Sequence, residues 1–231
     1  METISPQDQD FICDLQAPCF QALSPDEVKL VQNSKTQVLF RKGDNITKQG
    51  TFASYILFIV SGMAIQYIED EGDKSFNLRI VQPGDFVGLA AVFSKNTFDY
   101  SSRALSDCQA ILVEQATLIE IIKKNGAFAL SLFQRYSQKN SGLYDCLSSI
   151  LYKQMNGRLA NALLYINSYK STVSDIFQLL SRKDIADFAG TSTESAVKLL
   201  KSFEKEGFIS LNGKDIEIIE EKRLQEISRI G

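Results

Sequence analysis

The chain has 231 residues, 44% hydrophobic and 23% charged, enough for one large or two small domains with real cores. It carries a net charge of −3 and no histidine, which excludes Ser-His-Asp and Cys-His catalytic sets and any His-ligated zinc or haem. No apolar run approaches the ~20 residues of a membrane span, and the opening METISPQDQDFICD lacks signal-peptide character, so a cytoplasmic protein with no membrane partner is expected.

Residues 1 to about 12 read as disordered or loosely attached. LSPDEVKLV (23–31) reads as a helix, with Ser24 as N-cap, Pro25 at the first helical position, and Asp26 and Glu27 in the first turn. From about Thr36 to Ile119, runs such as TQVLF, YILFIV, MAIQYIE, FNLRIV and QAILVE alternate with Gly-, Asp- and Asn-containing breaks. Eight or so short strands at that spacing describe an all-β barrel or a double-stranded jelly roll.

The helical period returns at Leu118. Ala129, Phe133, Tyr136, Asn140, Leu143, Leu147, Ile150 and Gln154 then fall at alternating spacings of four and three. That is a coiled-coil seam, with Asn140 as the polar position that fixes register in a dimer. Packing of this helix on its own barrel is the competing reading, and different faces can serve both.

GRLANALLYINSY forms the next helix. Ile185, Ala186, Phe188 and Ala189 then give a narrow apolar face, and Gly190 ends that helix in the left-handed conformation. Thr191 or Ser192 caps a second helix, in which Ala196, Leu199, Leu200 and Phe203 form the buried stripe. Glu194, Ser195, Lys198 and Lys201 lie on another face. FISLNGKDIEII reads as a hairpin turning at Asn212-Gly213, and EEKRLQEIS as a closing helix. Three helices and a hairpin make a winged helix, whose polar stripe suits a DNA major groove. From Tyr152 onward there are 12 Lys/Arg and 11 Asp/Glu, against 13 and 17 before it, so any charge attraction to DNA is local.

Barrel, long helix and winged helix, in this order, resemble the cyclic-AMP receptor/fumarate-nitrate regulator (CRP/FNR) family of bacterial transcription factors. The resemblance covers nearly the whole chain. FRKGDNITKQG (40–50), SGMAIQYIE (61–69), QPGDFVGLAAVF (82–93) and LSRKDIADFAGTSTESAVKLLKSFEKEGFISLNGKDIEI (180–218) carry it. It implies an α+β protein: an N-terminal cyclic-nucleotide-binding-like sensory β-barrel (1–125), a dimerisation helix (126–154), and a C-terminal winged helix-turn-helix (155–231). It further implies a homodimer on a near-palindromic double-stranded operator, with RNA polymerase as a partner. The expected dimer contacts are Phe133, Tyr136, Asn140, Leu143, Leu147 and Ile150.

In the family pattern a Glu in the first turn of the recognition helix and an Arg one turn on read base edges. Glu194 and Lys198 stand there. Glu194 can accept from a cytosine amino group and Lys198 can donate to guanine, with less discrimination than the planar Arg fork would give. An i,i+4 ion pair is the rival role for these two. Val197 can touch a thymine methyl. Ser192, Thr193, Ser195 and Lys201 are expected phosphate contacts, with Arg182 and Lys183 from the preceding helix.

Nucleotide-binding members carry a Gly-Glu pair for the ribose and an Arg-Ser pair for the cyclic phosphate. Here Gly88-Leu89 replaces the first, and Asp99, Tyr100, Ser101 and Ser102 lie around the second, with Arg103 just beyond. Leu89 cannot bond a ribose hydroxyl and Asp99 would repel a phosphate. Cyclic AMP is therefore not expected; another small effector or an empty barrel is. Oxygen-sensing members hold an iron–sulfur cluster on cysteines. Asp10, Cys13, Cys19 and Cys108 are candidate ligands of a degraded site, but cysteines acting as small hydrophobes are the preferred reading. No cofactor is assigned and no enzyme is expected. The rivals are a ligand-binding regulatory barrel whose winged helix contacts protein rather than DNA, a cupin-like enzyme (disfavoured by the absent histidine) and a plain structural dimer.

Overall fold

The computed structural model describes residues 2–3, 20–70 and 74–231. It contains two compact units, one of Met1–Glu69 with Ile80–Ser141 and one of Asp70–Arg79 with Gly142–Gly231.

In the first unit, β1 (Glu2–Thr3), β2 (Lys35–Phe40), β4 (Tyr55–Ser61), β7 (Phe86–Val87) and β9 (Cys108–Glu114) form one sheet in the order β1-β2-β9-β4-β7. A second sheet has the order β3-β8-β5-β6, from β3 (Asn45–Thr47), β5 (Ala64–Glu69), β6 (Ser75–Val81) and β8 (Ser101–Ala104). The expected barrel is thus a pair of jelly-roll sheets, and no ladder among the described residues closes them into a ring. The N-terminal expectation also changes. Glu2 and Thr3 pair with Leu39 and Val38 as an antiparallel edge, and the rest of residues 4–12 lies outside the described residues.

Both faces of the β4–β9 ladder are buried. Leu57, Ile59, Cys108 and Ala110 join Val38, Phe40, Ala64 and Ala104 in one apolar cluster. Ile56, Phe58, Ile111 and Val113 join Phe20, Leu118, Ile121, Phe128 and Leu132 in another. A strand covered on both sides reads as an unbroken apolar run, which is why YILFIV shows no alternation.

Helix α1 (Pro25–Ser34) begins at the expected capping box, with Ser24 and Glu27 bonding each other's backbone N–H. Helix α2 (Gln115–Lys124) stops at Asn125, whose backbone is extended. The Asn125 amide oxygen then accepts from Phe128 N at 2.9 Å and starts α3 (Gly126–Tyr152). The helical periodicity from Leu118 onward therefore belongs to two helices.

The second unit contains α4 (Met155–Asn167), α5 (Ile176–Leu179), α6 (Arg182–Ala189), α7 (Thr193–Lys205), the hairpin β10 (Ile209–Asn212) and β11 (Asp215–Ile218), and α8 (Glu221–Ile230). Leu159, Leu163, Ile166, Phe177, Ile185, Leu200, Phe203, Ile216 and Leu224 form its buried interior. Asn212 pairs with Asp215, so the two-residue turn is Gly213-Lys214. Asn212 is the last strand residue, one place earlier in the hairpin than the sequence suggested.

Candidate nucleic-acid interface and sensory region

Helices α6 and α7 are joined by a short left-handed turn. Ser181 caps α6 with a reciprocal bond to Asp184. Gly190 has φ 58°, a conformation in which a side chain would crowd the backbone. Ser192 then caps α7, its Oγ accepting from Ser195 N at 3.2 Å. Ala196, Leu200 and Phe203 are buried. Thr193, Glu194, Lys198 and Lys201 are exposed, while Ser195 and Val197 are half-buried. One turn of helix thus puts an acceptor, a methyl pair and a cation on a surface free to meet a groove. Among the described residues, no ion pair joins Glu194 to Lys198, so both charges are available.

Arg182 and Lys183 are engaged elsewhere. The Arg182 guanidinium donates to the Gly213 carbonyl at 2.8 Å and the Lys214 carbonyl at 3.4 Å, tying α6 to the wing turn. Partial burial pulls its pKa below the usual arginine value. Lys183 Nζ lies 2.8 Å from the Asp187 carboxylate and 2.9 Å from Ser75 Oγ. Both residues read as braces of the helix pair in this state rather than as free phosphate ligands.

Strand β6 also touches the turn. The Asn77 side chain donates to the Asp184 carbonyl at 2.8 Å, and Ser75 Oγ to Asp187 at 2.6 Å. A Cβ on Gly190 would lie 2.6 Å from Ile150 Cδ1 and 3.3 Å from Phe76 Cε2. Of the residues expected in the α3 seam, Ile150 therefore faces Gly190. Phe133 (67% exposed), Leu147 (57%), Tyr136 and Leu143 lie open, and Asn140 is half-buried. Leu130, Tyr144 and Leu151 are exposed as well. They flank the Phe133–Asn140–Leu147 line, and the sequence reading missed them by following a single stripe.

In the first unit, Gly88 has φ 86° and opens a 3-10 segment, Leu89–Phe93. A Cβ there would lie 2.6 Å from Cε1 of Phe98, and Gly88 N donates to Tyr100 Oη at 2.8 Å. Leu89 is buried in the helix-facing cluster. The backbone that would cradle an anion is thus covered by the chain's own aromatic residues. Phe98 was missed in sequence because an aromatic residue carries no binding signature. Ser101 is buried, its Oγ accepting from Gln49 N and donating to Glu69, which pairs with Lys48. Ser102 Oγ and its cross-strand neighbour Thr47 Oγ1 are buried with no hydrogen-bond partner among the described residues. Arg103 sits opposite Ile65 and Asn45 on β8. The expected effector residues therefore occupy neighbouring positions: Leu89, Tyr100 and Ser101 are engaged in internal contacts, whereas Ser102 Oγ is buried without a hydrogen-bond partner among the described residues.

Behind this segment the Asp85 carboxylate is fully buried. It lies 2.9 Å from Lys139 Nζ and 3.8 Å from an Arg135 nitrogen, both on α3, and Arg135 also donates to the Gly84 carbonyl. Opposite charges in low dielectric fasten the turn to the helix. Sequence could have flagged two cations four residues apart on a helix whose other charged residue is Asp145.

Cys108 lies in the core, its thiol against the Met63 and Ser106 carbonyls at 3.1 and 3.3 Å. Burial pushes its pKa up to about 11, which keeps the thiol protonated at neutral pH. Cys146, half-buried on α3, is likewise raised by burial. Asp10, Cys13 and Cys19 lie outside the described residues.

Residues 37–125 match the model of the cyclic nucleotide-binding domain, and residues 157–227 that of the Crp-like helix-turn-helix domain. Over 212 residues the chain is 23% identical to the Cyclic AMP receptor protein of Thermus thermophilus, covering 92% of this chain and 97% of that one. The chain belongs to the CRP/FNR family of transcription regulators.

Solved structures agree on the fold. FixK2 from Bradyrhizobium japonicum superposes with a TM-score of 0.74 at 21% identity, covering 84% of this chain and 96% of that one. A CRP/FNR-family regulator from Eubacterium rectale gives 0.75 at 19% identity, covering 92% and 98%. CRP/FNR proteins are DNA-binding transcription regulators, not enzymes, and act as dimers. Membership therefore separates the readings left open by sequence: α7 belongs to a DNA-binding domain, and the two-sheet unit is cyclic-nucleotide-binding-like. No helix among the described residues is long and apolar enough to cross a membrane.

Proposed function

We propose that this chain is a cytoplasmic homodimer that reads a near-palindromic operator with α7 and acts with RNA polymerase. On this reading, the functional parts are a sensory domain (1–125), a dimerisation helix (126–154) and a DNA-binding domain (155–231). Glu194 and Lys198 read base edges, Val197 meets a thymine methyl, and Ser192, Thr193, Ser195 and Lys201 contact phosphates. Two copies joined along α3 would present two α7 helices about one DNA turn apart, roughly 34–36 Å.

The observation that carries this reading is the pair of open faces, polar on α7 and apolar on α3. Exposed aromatic and aliphatic side chains in one line on a helix favour a second helix. Lys198→Ala should weaken binding to a selected operator by about 10- to 100-fold, the worth of a base contact, with a small loss on random DNA. Equal losses on both would make Lys198 a phosphate contact. Leu147→Glu should shift the protein to monomer in sedimentation and abolish operator binding.

The sensory domain responds to something other than cyclic AMP. Supporting this are Leu89 in the ribose position and the Phe98 ring against Gly88. Titration with cyclic AMP should leave both the melting temperature and operator affinity unchanged.

A further inference from the structure

A groove with an internal volume of about 560 Å³ runs beside the Leu89–Phe93 segment. Leu89 and Ala90 line one side, and Leu132, Phe133 and Tyr136 of α3 another. Tyr100, Ser101, Ser102 and Arg103 are not among its described lining residues. The volume lies within the range of small-molecule sites, roughly 300–1,000 Å³.

Its walls are apolar and aromatic, from Phe93 and Phe133 to Tyr136. Asp99 is the one charged residue among the described lining residues. No hydrogen bond or ion pair to the Asp99 side chain occurs among the described residues, and no basic side chain lines the groove with it. Aromatic faces and an unpaired carboxylate both attract cations, the first through the ring quadrupole and the second through charge. Both disfavour an organic anion.

From these features we infer that the groove binds a small organic cation, an apolar ring-bearing body with one amine head set against Asp99. Phe133 and Tyr136 belong at once to this groove and to the open face of α3. An occupant therefore extends the surface along which two copies would meet. That coupling rests on the dimer reading above, whereas binding itself does not.

The test uses the full-length protein and three probes of one skeleton, phenylbutylamine, phenylbutanol and phenylbutyrate, titrated by calorimetry. The amine should saturate one site per chain and bind about tenfold tighter than the acid, with the alcohol between them. Asp99→Asn should shrink the amine-to-acid ratio to about twofold without loss of the alcohol. Ala90→Phe should fill the groove and remove all three isotherms. Should Ala90→Phe lower the melting temperature, Ala129→Phe repeats the test from the opposite wall. Phenylbutyrate binding as tightly as the amine, or amine binding that survives both fillings, overturns the inference. Operator affinity of the ligand-free protein, measured alongside, separates that failure from failure of the DNA reading.

Discussion

Two helical segments of this protein start from the same backbone device and end differently. Gly190 and Gly88 both have positive φ, and each precedes a segment placed where its family meets a partner, α7 for DNA and Leu89–Phe93 for a nucleotide. After Gly190 the chain turns Glu194 and Lys198 outward. After Gly88 it turns Leu89 inward and lays Phe98 over the glycine. The backbone alone therefore does not make a site. Side-chain polarity decides whether the same turn opens to a partner or closes on itself, and here the Gly190 turn leads to an open face while the Gly88 turn is covered.

Several substitutions test how filled the second end is. Asp85→Ala strands Lys139 and Arg135 beside the sensory turn and should cost about 3–5 kcal/mol of stability, read by urea unfolding. A loss below about 1 kcal/mol would mean the carboxylate is solvated and the packing loose.

Cys108 gives a pH-dependent version of the same test. Its folded pKa of about 11 stands above the unfolded thiol value, so the folded state holds the proton more tightly. The contribution is complete below the unfolded pKa, near 9, and is lost as pH rises through 11. It amounts to roughly 2–3 kcal/mol, and Cys108→Ala should remove that part of the alkaline slope.

Gly88→Ala and Gly190→Ala compare the two ends directly. At Gly88 a Cβ meets an aromatic ring edge; at Gly190 it meets the terminal methyl of Ile150. The first should cost about 2 kcal/mol and the second about 1 kcal/mol, because a methyl at the end of a flexible side chain moves more easily than a packed ring. Equal losses would erase the distinction. Ser192→Ala should cost about 1 kcal/mol through the lost cap of α7, visible as a small drop in melting temperature and weaker operator binding.

Much of the DNA-binding end was legible in the sequence. Gly190 and Ser192 are local signals, each acting within three or four residues, and they mark the end of α6 and the start of α7 where the structure has them. The wing was displaced by one residue because both Asn212 and Gly213 suit a turn, and only pairing with Asp215 decides between them. The engagement of Arg182 is hidden from the sequence for a different reason. Its partners, the Gly213 and Lys214 carbonyls, lie more than thirty residues away along the chain, and no local pattern announces a backbone acceptor. The sensory end was legible in outline, since its short apolar runs and Gly-containing breaks mark the strands of the two sheets. The Asp85–Lys139 clamp and the Phe98 lid depend on contacts between distant segments, which periodicity does not reveal.

The junction at Gly190 has a consequence for any attempt to take the protein apart. Asn77 bonds the Asp184 carbonyl and Phe76 borders the Gly190 turn, yet both come from a ten-residue stretch about seventy residues before the winged helix begins. A fragment started at Gly142 would carry every residue of α6 and α7 but none of 70–79. Its helix pair would present bare apolar surface at Gly190, and the side-chain bond to Asp184 would have no donor. The DNA-reading piece is continuous in sequence on its reading face only; its back wall is borrowed from a strand, and a clean excision must bring that strand along.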